Sequence, residues 1–230
     1  MFILALESTT EACSVALLQD DIITEQFEIA PRQHTNLLLN MIDNLLSEQR
    51  VMKRDLDAIA FCRGPGAFTG LRITAGVAQG LAFGLNIPVI AISSLAALAQ
   101  GAYRATQSQQ TTYLSCLDAR KGEVFWGRYL IEAGFAKCVG TEYVSSVEDI
   151  SHSGQNNPDK KTKWHVIGTG RNIVEKLNEP QLIFADLVPD IVHYPHAYDI
   201  AVLAAREYEL GNTVTAELAI PVYLRNNVTY

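Results

Sequence analysis

The chain has 230 residues, 48% hydrophobic and 19% charged, which excludes extensive disorder and allows two packed lobes of about 100 residues each. Its net charge of −7 is the wrong sign for a protein that grips a phosphate backbone unaided, so any nucleic-acid role needs a basic partner. The four cysteines, Cys13, Cys62, Cys116 and Cys138, form no C-x-x-C pair and read as buried thiols of a reducing compartment.

The first residues, "MFILALEST", carry no basic n-region, and their apolar run stops at Glu7. They predict a strand rather than a signal peptide, and the cytosol as location. Alternation predicts strands over 2–6, 12–18 and 22–29, with "QDD" turning the last two into a hairpin. From His34 the period changes. Leu37, Leu38, Met41, Ile42, Leu45 and Leu46 fall on one half of a helical wheel, and Asn36, Asn40, Asp43, Asn44 and Ser47 on the other. An apolar strand over 58–62, the glycine loop "CRGPGAFTGLRIT", a helix over 69–85, a strand over 89–92 and a helix from Ser93 or Ser94 follow. The predicted order is βββαβαβα. No charge occurs between Arg72 and Arg104, but Gln79, Asn86, Pro88, Ser93, Ser94 and repeated glycines break that stretch into pieces unable to span about 30 Å of hydrocarbon.

The polar run "RATQSQQTT" divides a lobe over 1–105 from a second over 106–230. The second restarts with "TYLSCLDA", a turn at "RKG", and "EVFWGRYLI". Glu7 and Asp118 each close a first strand, and a glycine pair follows a later one, Gly64 and Gly66 in one half, Gly168 and Gly170 in the other. The separations are 57 residues from Glu7 to Gly64 and 50 from Asp118 to Gly168, so the architecture repeats although the residues do not. Residues 151–163 predict a polar surface loop. A helix is expected over 197–210, started after Pro195 and stopped by Gly211. The closing "PVYLRNNVTY" is apolar enough to dock, and is expected to pack back on the first lobe.

Strand before and helix after make the glycine loop a place where backbone N–H groups can hold an anion. Thr69 stands where a dinucleotide fingerprint needs glycine, and Gly70, Leu71 and Arg72 stand where a Walker loop needs Gly-Lys-Ser/Thr. A tight turn capped by Thr69 or a neighbour explains the loop equally. The helix behind it carries Gly76, Gly80 and Gly84, each costing about 1 kcal/mol of propensity, which close approach of another backbone, internal or a partner's, would offset. Glu7 and Asp118, with Ser8 and Thr9, could hold a metal-nucleotide or could simply cap turns. Asp186, Asp190, His193, His196 and Asp199 match no zinc spacing and read as a solvated loop entering a helix. His34 reads as a helix-start residue.

Taken together, "ILALEST", "GPGAFTGLRI" with its alanine- and glycine-rich helix, "SSLAALA", "DARKGEVFWGRY" and "PVYLRNN" resemble the bacterial TsaB (YeaZ) family from end to end. The resemblance implies a two-lobed actin-like ATPase fold, each lobe a ribonuclease-H-like mixed sheet with flanking helices. It implies a partner of the catalytic subunit TsaD, which works with the ATPase TsaE to form threonylcarbamoyladenosine in tRNA. TsaD carries two metal-binding histidines spaced H-x-x-x-H, and Ser94 and Leu98 occupy those positions here, which leaves no ligand pair.

The resemblance therefore implies a non-catalytic scaffold without metal or required cofactor, with at most vestigial nucleotide binding at Glu7, Ser8, Thr9, Gly64, Gly66, Asp118, Gly168 and Gly170. The family pairs through two helices, with TsaD or with itself when TsaD is absent. The corresponding residues are His34, Leu37, Leu38, Met41, Ile42, Leu45, Arg72, Ile73, Gly76, Val77, Gly80 and Leu81. Contact with tRNA would be indirect. Two other readings stand beside it: a nucleotide-dependent transferase or hydrolase, and a metallopeptidase suggested by the older "glycoprotease" label of the wider family.

Overall fold

Alternating apolar residues build the first sheet. In the computed structural model, which describes residues 1–108, 111–152, 162–180, 182–183 and 193–225, β1 is Phe2–Glu7, β2 Ala12–Gln19 and β3 Ile22–Ile29. Then come α1 (His34–Glu48), β4 (Ala58–Gly64), α2 (Phe68–Leu85), β5 (Val89–Ser93) and α3 (Ser94–Thr106). This is the order βββαβαβα expected from the periodicity. The sheet runs β3-β2-β1-β4-β5, antiparallel across the first three strands and parallel across the last three.

Parity along the strands sorts the core. Leu4 and Leu6 of β1, Val15 and Leu17 of β2, and Ile59 and Phe61 of β4 form one cluster with Leu38, Ile42 and Leu45 of α1 and Ala75, Ala78 and Ala82 of α2. Burial of each large side chain contributes about 1.5–3 kcal/mol. The opposite parity carries mostly small residues, Ala5, Ala16, Ala58 and Ala60, all fully buried. They allow close approach of α6 (Ala197–Glu209), whose Ala197, Ile200, Ala201 and Ala204 are fully buried too. Side chains from the sheet cap the start of α6. The Ser14 hydroxyl accepts from Ala197 N at 2.9 Å and Glu25 Oε1 from Tyr198 N at 3.0 Å, satisfying donors the helix itself leaves unpaired.

The chain forms two units, Met1–Ala97 with Pro195–Val222, and Leu98–Tyr194 with Tyr223–Tyr230, the division falling within α3. The second unit contains β6 (Tyr113–Asp118), β7 (Glu123–Glu132), β8 (Phe135–Cys138), β9 (Tyr143–Ser146), α4 (Val147–His152), β10 (Trp164–Ile167), α5 (Arg171–Val174) and β11 (Leu182–Ile183). Its sheet runs β11-β10-β6-β7-β8, with β9 also on β7. As with β1, the first strand β6 is central, its hairpin partner is antiparallel, and the strand on its other side is parallel. Leu114, Trp126, Trp164, Val166 and Val174 fill this unit's core.

Cys13, Cys62 and Cys116 are buried and Cys138 is half-buried. Most of the predicted polar loop, residues 153–161, lies outside the described residues, as do Asp186 and Asp190. Among the described residues no helix is long and apolar enough to cross a membrane.

Candidate functional site

The glycine loop is occupied by its own chain. Strand β4 ends at Gly64, whose φ of +102° favours glycine and whose absent Cβ would lie 2.8 Å from a Leu71 methyl. At Gly66 a Cβ would stand 2.5 Å from the Thr9 carbonyl oxygen, and at Gly70 it would overlap the Ser8 carbonyl oxygen. The backbone of the turn after β1 therefore rests directly on the loop. Ala67 N donates to Thr9 O at 2.7 Å, and the Ser8 and Thr74 hydroxyls each lie 3.1 Å from Gly70 O, one of the two donating to that carbonyl and the other to its neighbour's oxygen. Helix α2 starts at Phe68 behind Ala67, without a side-chain cap, so Thr69 does not cap it as the turn reading expects.

Glu7 is fully buried beside this turn. Its Oε1 accepts from Thr9 N at 2.6 Å and Thr9 Oγ1 at 2.5 Å. Burial pushes its carboxyl up to about 7, although hydrogen bonds from Cys62 and Thr9 and the charge of His196 pull the other way. A carboxyl whose value is raised on folding costs nothing below its unfolded value, and the penalty grows as pH rises from that value to the folded one and stays constant above it. Glu7→Gln, which keeps the acceptor for Thr9, should thus leave stability unchanged near pH 4.5 and raise it at pH 8 by roughly 2–3 kcal/mol. Urea melts at the two pH values check this, and an equal effect at both would refute it.

The second unit repeats the arrangement. Gly168 has φ +96°, and a Cβ there would overlap the Cys116 carbonyl oxygen, while one at Gly170 would lie 3.2 Å from Cys116 and Leu117 backbone carbons. Gly170 N donates to Cys116 O at 3.1 Å, and Asp118 N to Thr169 Oγ1 at 3.1 Å. The Asp118 carboxylate accepts from Arg120 N at 2.7 Å, so it closes its own turn. Glu7, Ser8, Thr9, Gly64 and Gly66 are thus gathered in one unit, and Asp118, Gly168 and Gly170 in the other, each set packed on itself.

On α1 the residues expected to meet a partner divide. Leu38, Ile42 and Leu45 are at most 1% exposed and Met41 is 7% exposed, so these four are core residues and not contact residues, a correction to the expectation from the sequence. They cover the sheet face of Leu4, Leu6, Val15 and Leu17, which has the prior claim on them. His34 is buried with Nε2 3.2 Å from Ala12 O, holding the helix start to β2. Leu37 is half-buried against the same core. Leu39, which the wheel places among Asn36, Asn40 and Asp43, is 51% exposed instead.

Helix α2 shows the opposite pattern. Ile73, Val77 and Leu81 are half-buried against the core, whereas Arg72, Gly76, Gly80 and Gly84 line the exposed face. Nothing lies within 4 Å of a Cβ added at any of these three glycines. Arg72 stacks its guanidinium 3.9 Å above the Phe68 ring, and Phe83, one turn beyond Gly80, is 73% exposed. Sequence reasoning missed Phe68, Phe83 and Leu39, although the helical period alone aligns Phe83 with the glycines.

At the start of α3, the buried Ser94 hydroxyl donates to Pro65 O, and Leu98 is fully buried against the position of Gly168. His196 and Asp199 prove buried rather than solvated: His196 Nδ1 lies 3.0 Å from Glu25 Oε2 and its ring stacks on Phe27 at 4.2 Å. Among the described residues no group of three His, Cys, Asp or Glu side chains could hold a metal ion.

Comparison with known proteins matches residues 18–230 to the family model of TsaD, tRNA N6-adenosine threonylcarbamoyltransferase. The chain is 40% identical to the tRNA threonylcarbamoyladenosine biosynthesis protein TsaB of Escherichia coli K12, over 100% of this chain and 97% of that protein. It is 37% identical to the Haemophilus influenzae protein of the same name, over 99% of this chain and 95% of that one. A solved structure, YeaZ from Pseudomonas aeruginosa, superposes with a TM-score of 0.86 at 42% identity, covering 97% of this chain and 99% of that one.

Proposed function

The chain belongs to the TsaB family of tRNA threonylcarbamoyladenosine biosynthesis proteins, and on that premise we propose that it serves this modification as a scaffold subunit binding the catalytic TsaD chain. Its two mixed sheets with flanking helices have the actin-like ATPase class of fold.

The observation that carries the proposal is the open face of α2. Gly76, Gly80 and Gly84 each cost about 1 kcal/mol of helix propensity, and no neighbour within 4 Å offsets that inside the chain. A bare helix surface flanked by exposed Phe83 and by Arg72 suits close approach of a second helix, with aromatic and arginine anchors at its margin. Leu39 of α1, which packs beside α2 on the same sheet face, adds an apolar contact. TsaD is the proposed occupant, a second copy of the chain takes its place when TsaD is absent, and TsaE joins as a third component. The net charge of −7 favours indirect contact with tRNA, in the cytosol.

Three features support a role without catalysis. Ser94 and Leu98 stand at the positions of TsaD's histidine pair, with the Ser94 hydroxyl committed to Pro65 O. Glu7 is buried, and Gly66, Gly70, Gly168 and Gly170 are packed against Ser8, Thr9 and Cys116, which leaves them no room to cradle phosphate. Calorimetric titration with ATP and magnesium is accordingly expected to give no saturable heat, and tight binding with turnover by the isolated chain would replace the scaffold reading with an enzymatic one. The direct test is reconstitution of the tRNA modification from purified components. Omission of this chain should abolish product formation, and full activity without it would refute the proposal.

A further inference from the structure

Strand β7 carries a cation onto the apolar face of the second unit's sheet. Val124, Trp126 and Arg128 alternate onto one side of the strand; the first two lie in the core with Leu114, Trp164 and Val166, and Arg128 follows them, half-buried. Its Cζ stands 5.4 Å from the Trp126 ring centre and 5.6 Å from that of Trp164, and Nη2 reaches Ile150 O of α4 at 3.4 Å, the long end of the hydrogen-bond range. Among the described residues no carboxylate pairs with it, and burial holds the guanidinium below its ordinary value.

The two indoles beside this cation differ. Trp126 Nε1 donates to Ser145 Oγ at 3.0 Å, whereas Trp164, 4% exposed, buries its Nε1 with no acceptor among the described residues. A buried N–H without an acceptor loses its hydration for nothing in return, and so does a half-buried cation without a counter-charge. Both groups are donors, so neither serves the other, and what they lack in common is a negatively charged acceptor. We propose that Arg128 and Trp164 bind a carboxylate, one oxygen accepting from the guanidinium and the other from the indole Nε1.

The distances suit that ligand. Nε1 belongs to the ring whose centre stands 5.6 Å from Cζ, a gap spanned by two hydrogen bonds of about 2.9 Å with a carboxylate between them. A single guanidinium balances one negative charge, and its planar fork matches a planar acid, whereas a phosphate dianion brings a second charge that Arg128 alone does not balance. The Tyr143 ring, stacked 4.7 Å from Trp126 and 43% exposed, supplies an apolar margin for the carbon next to the carboxylate. A free small acid and an acidic side chain of a peptide present the same group. The site lies wholly within the second unit and does not depend on the role proposed for α2.

The chain has two tryptophans, so a proton–nitrogen NMR spectrum of the full chain contains two indole signals, and that of Trp126, already bonded to Ser145, is the internal reference. Titration with acetate, and separately with a tetraglutamate peptide, at an ionic strength held constant with chloride, is expected to move the Trp164 signal downfield to saturation. Whichever of the two saturates at the lower concentration identifies the source of the carboxylate. Arg128→Met, which puts an apolar side chain between the two rings, should fold and should weaken this binding by about 10-fold or more. A Trp164 signal indifferent to both carboxylates, an equal response to chloride or inorganic phosphate, or undiminished binding by Arg128→Met overturns the proposal. The titration of the unsubstituted chain requires no variant to fold.

Discussion

Gly70→Ala is expected to cost about 4 kcal/mol or more, leaving little soluble native protein. Helix propensity alone gives the opposite sign, since alanine within a helix gains about 1 kcal/mol over glycine. Contact reverses it, because the new Cβ would overlap the Ser8 carbonyl oxygen. Ser8 has no room to yield. It follows the central strand β1, its hydroxyl is bonded to Gly70 O and Thr74, and the next carbonyl, Thr9 O, accepts from Ala67 N. Moving α2 instead would lift Leu71, Ala75 and Ala78 out of their packing. Urea denaturation of the fraction that folds gives the measure, with Gly76→Ala as control: nothing lies near its Cβ, so it should gain about 1 kcal/mol. A Gly70→Ala chain as stable as its parent would mean that the turn after β1 does not rest on α2.

Gly80→Leu should fold as well as the parent, yet lose TsaD. The space around Gly80 is open in the chain itself, and leucine is a better helix former, so thermal stability should hold or rise slightly. At a helix crossing the added side chain would force the partner helix away and separate every other contact on that face. A loss of at least about 100-fold in affinity results if the crossing is centred near Gly80. Co-purification with TsaD reads the complex, and light scattering of the isolated chain reads self-association. Undiminished co-purification would remove α2 from the interface.

The two variants expose a limit of the sequence. Gly66, Gly70, Gly76, Gly80 and Gly84 are one residue type in one stretch, indistinguishable by composition. Their roles divide on distance: the first two meet Ser8 and Thr9, more than 55 residues earlier, while the last three meet nothing. On α1 the periodicity correctly marks an apolar face without saying which surface takes it. The sheet's own Leu4, Leu6, Val15 and Leu17 have to be covered first, so Leu38, Met41, Ile42 and Leu45 go inward. Element order in the first unit is legible because the change of period from two to 3.6 is strong there. In the second unit, β8, β9 and α4 are too short for a period to emerge. His196 reads as solvated because Glu25 and Phe27, which bury it, stand about 170 residues away in the chain.

The placement of α6 also has a meaning in time. The sheet of the first unit is covered on one face by α1 and α2, but its other face waits for residues made after Leu98–Tyr194 of the second unit. At synthesis rates of about 5–20 residues per second, that delay lasts several seconds or longer. Until Pro195 and the residues of α6 leave the ribosome, Ile3, Ala5, Ala16 and Ala60 have no helix above them, and the nascent first unit presents an apolar sheet surface. The end of the message thus decides when its beginning becomes a finished domain.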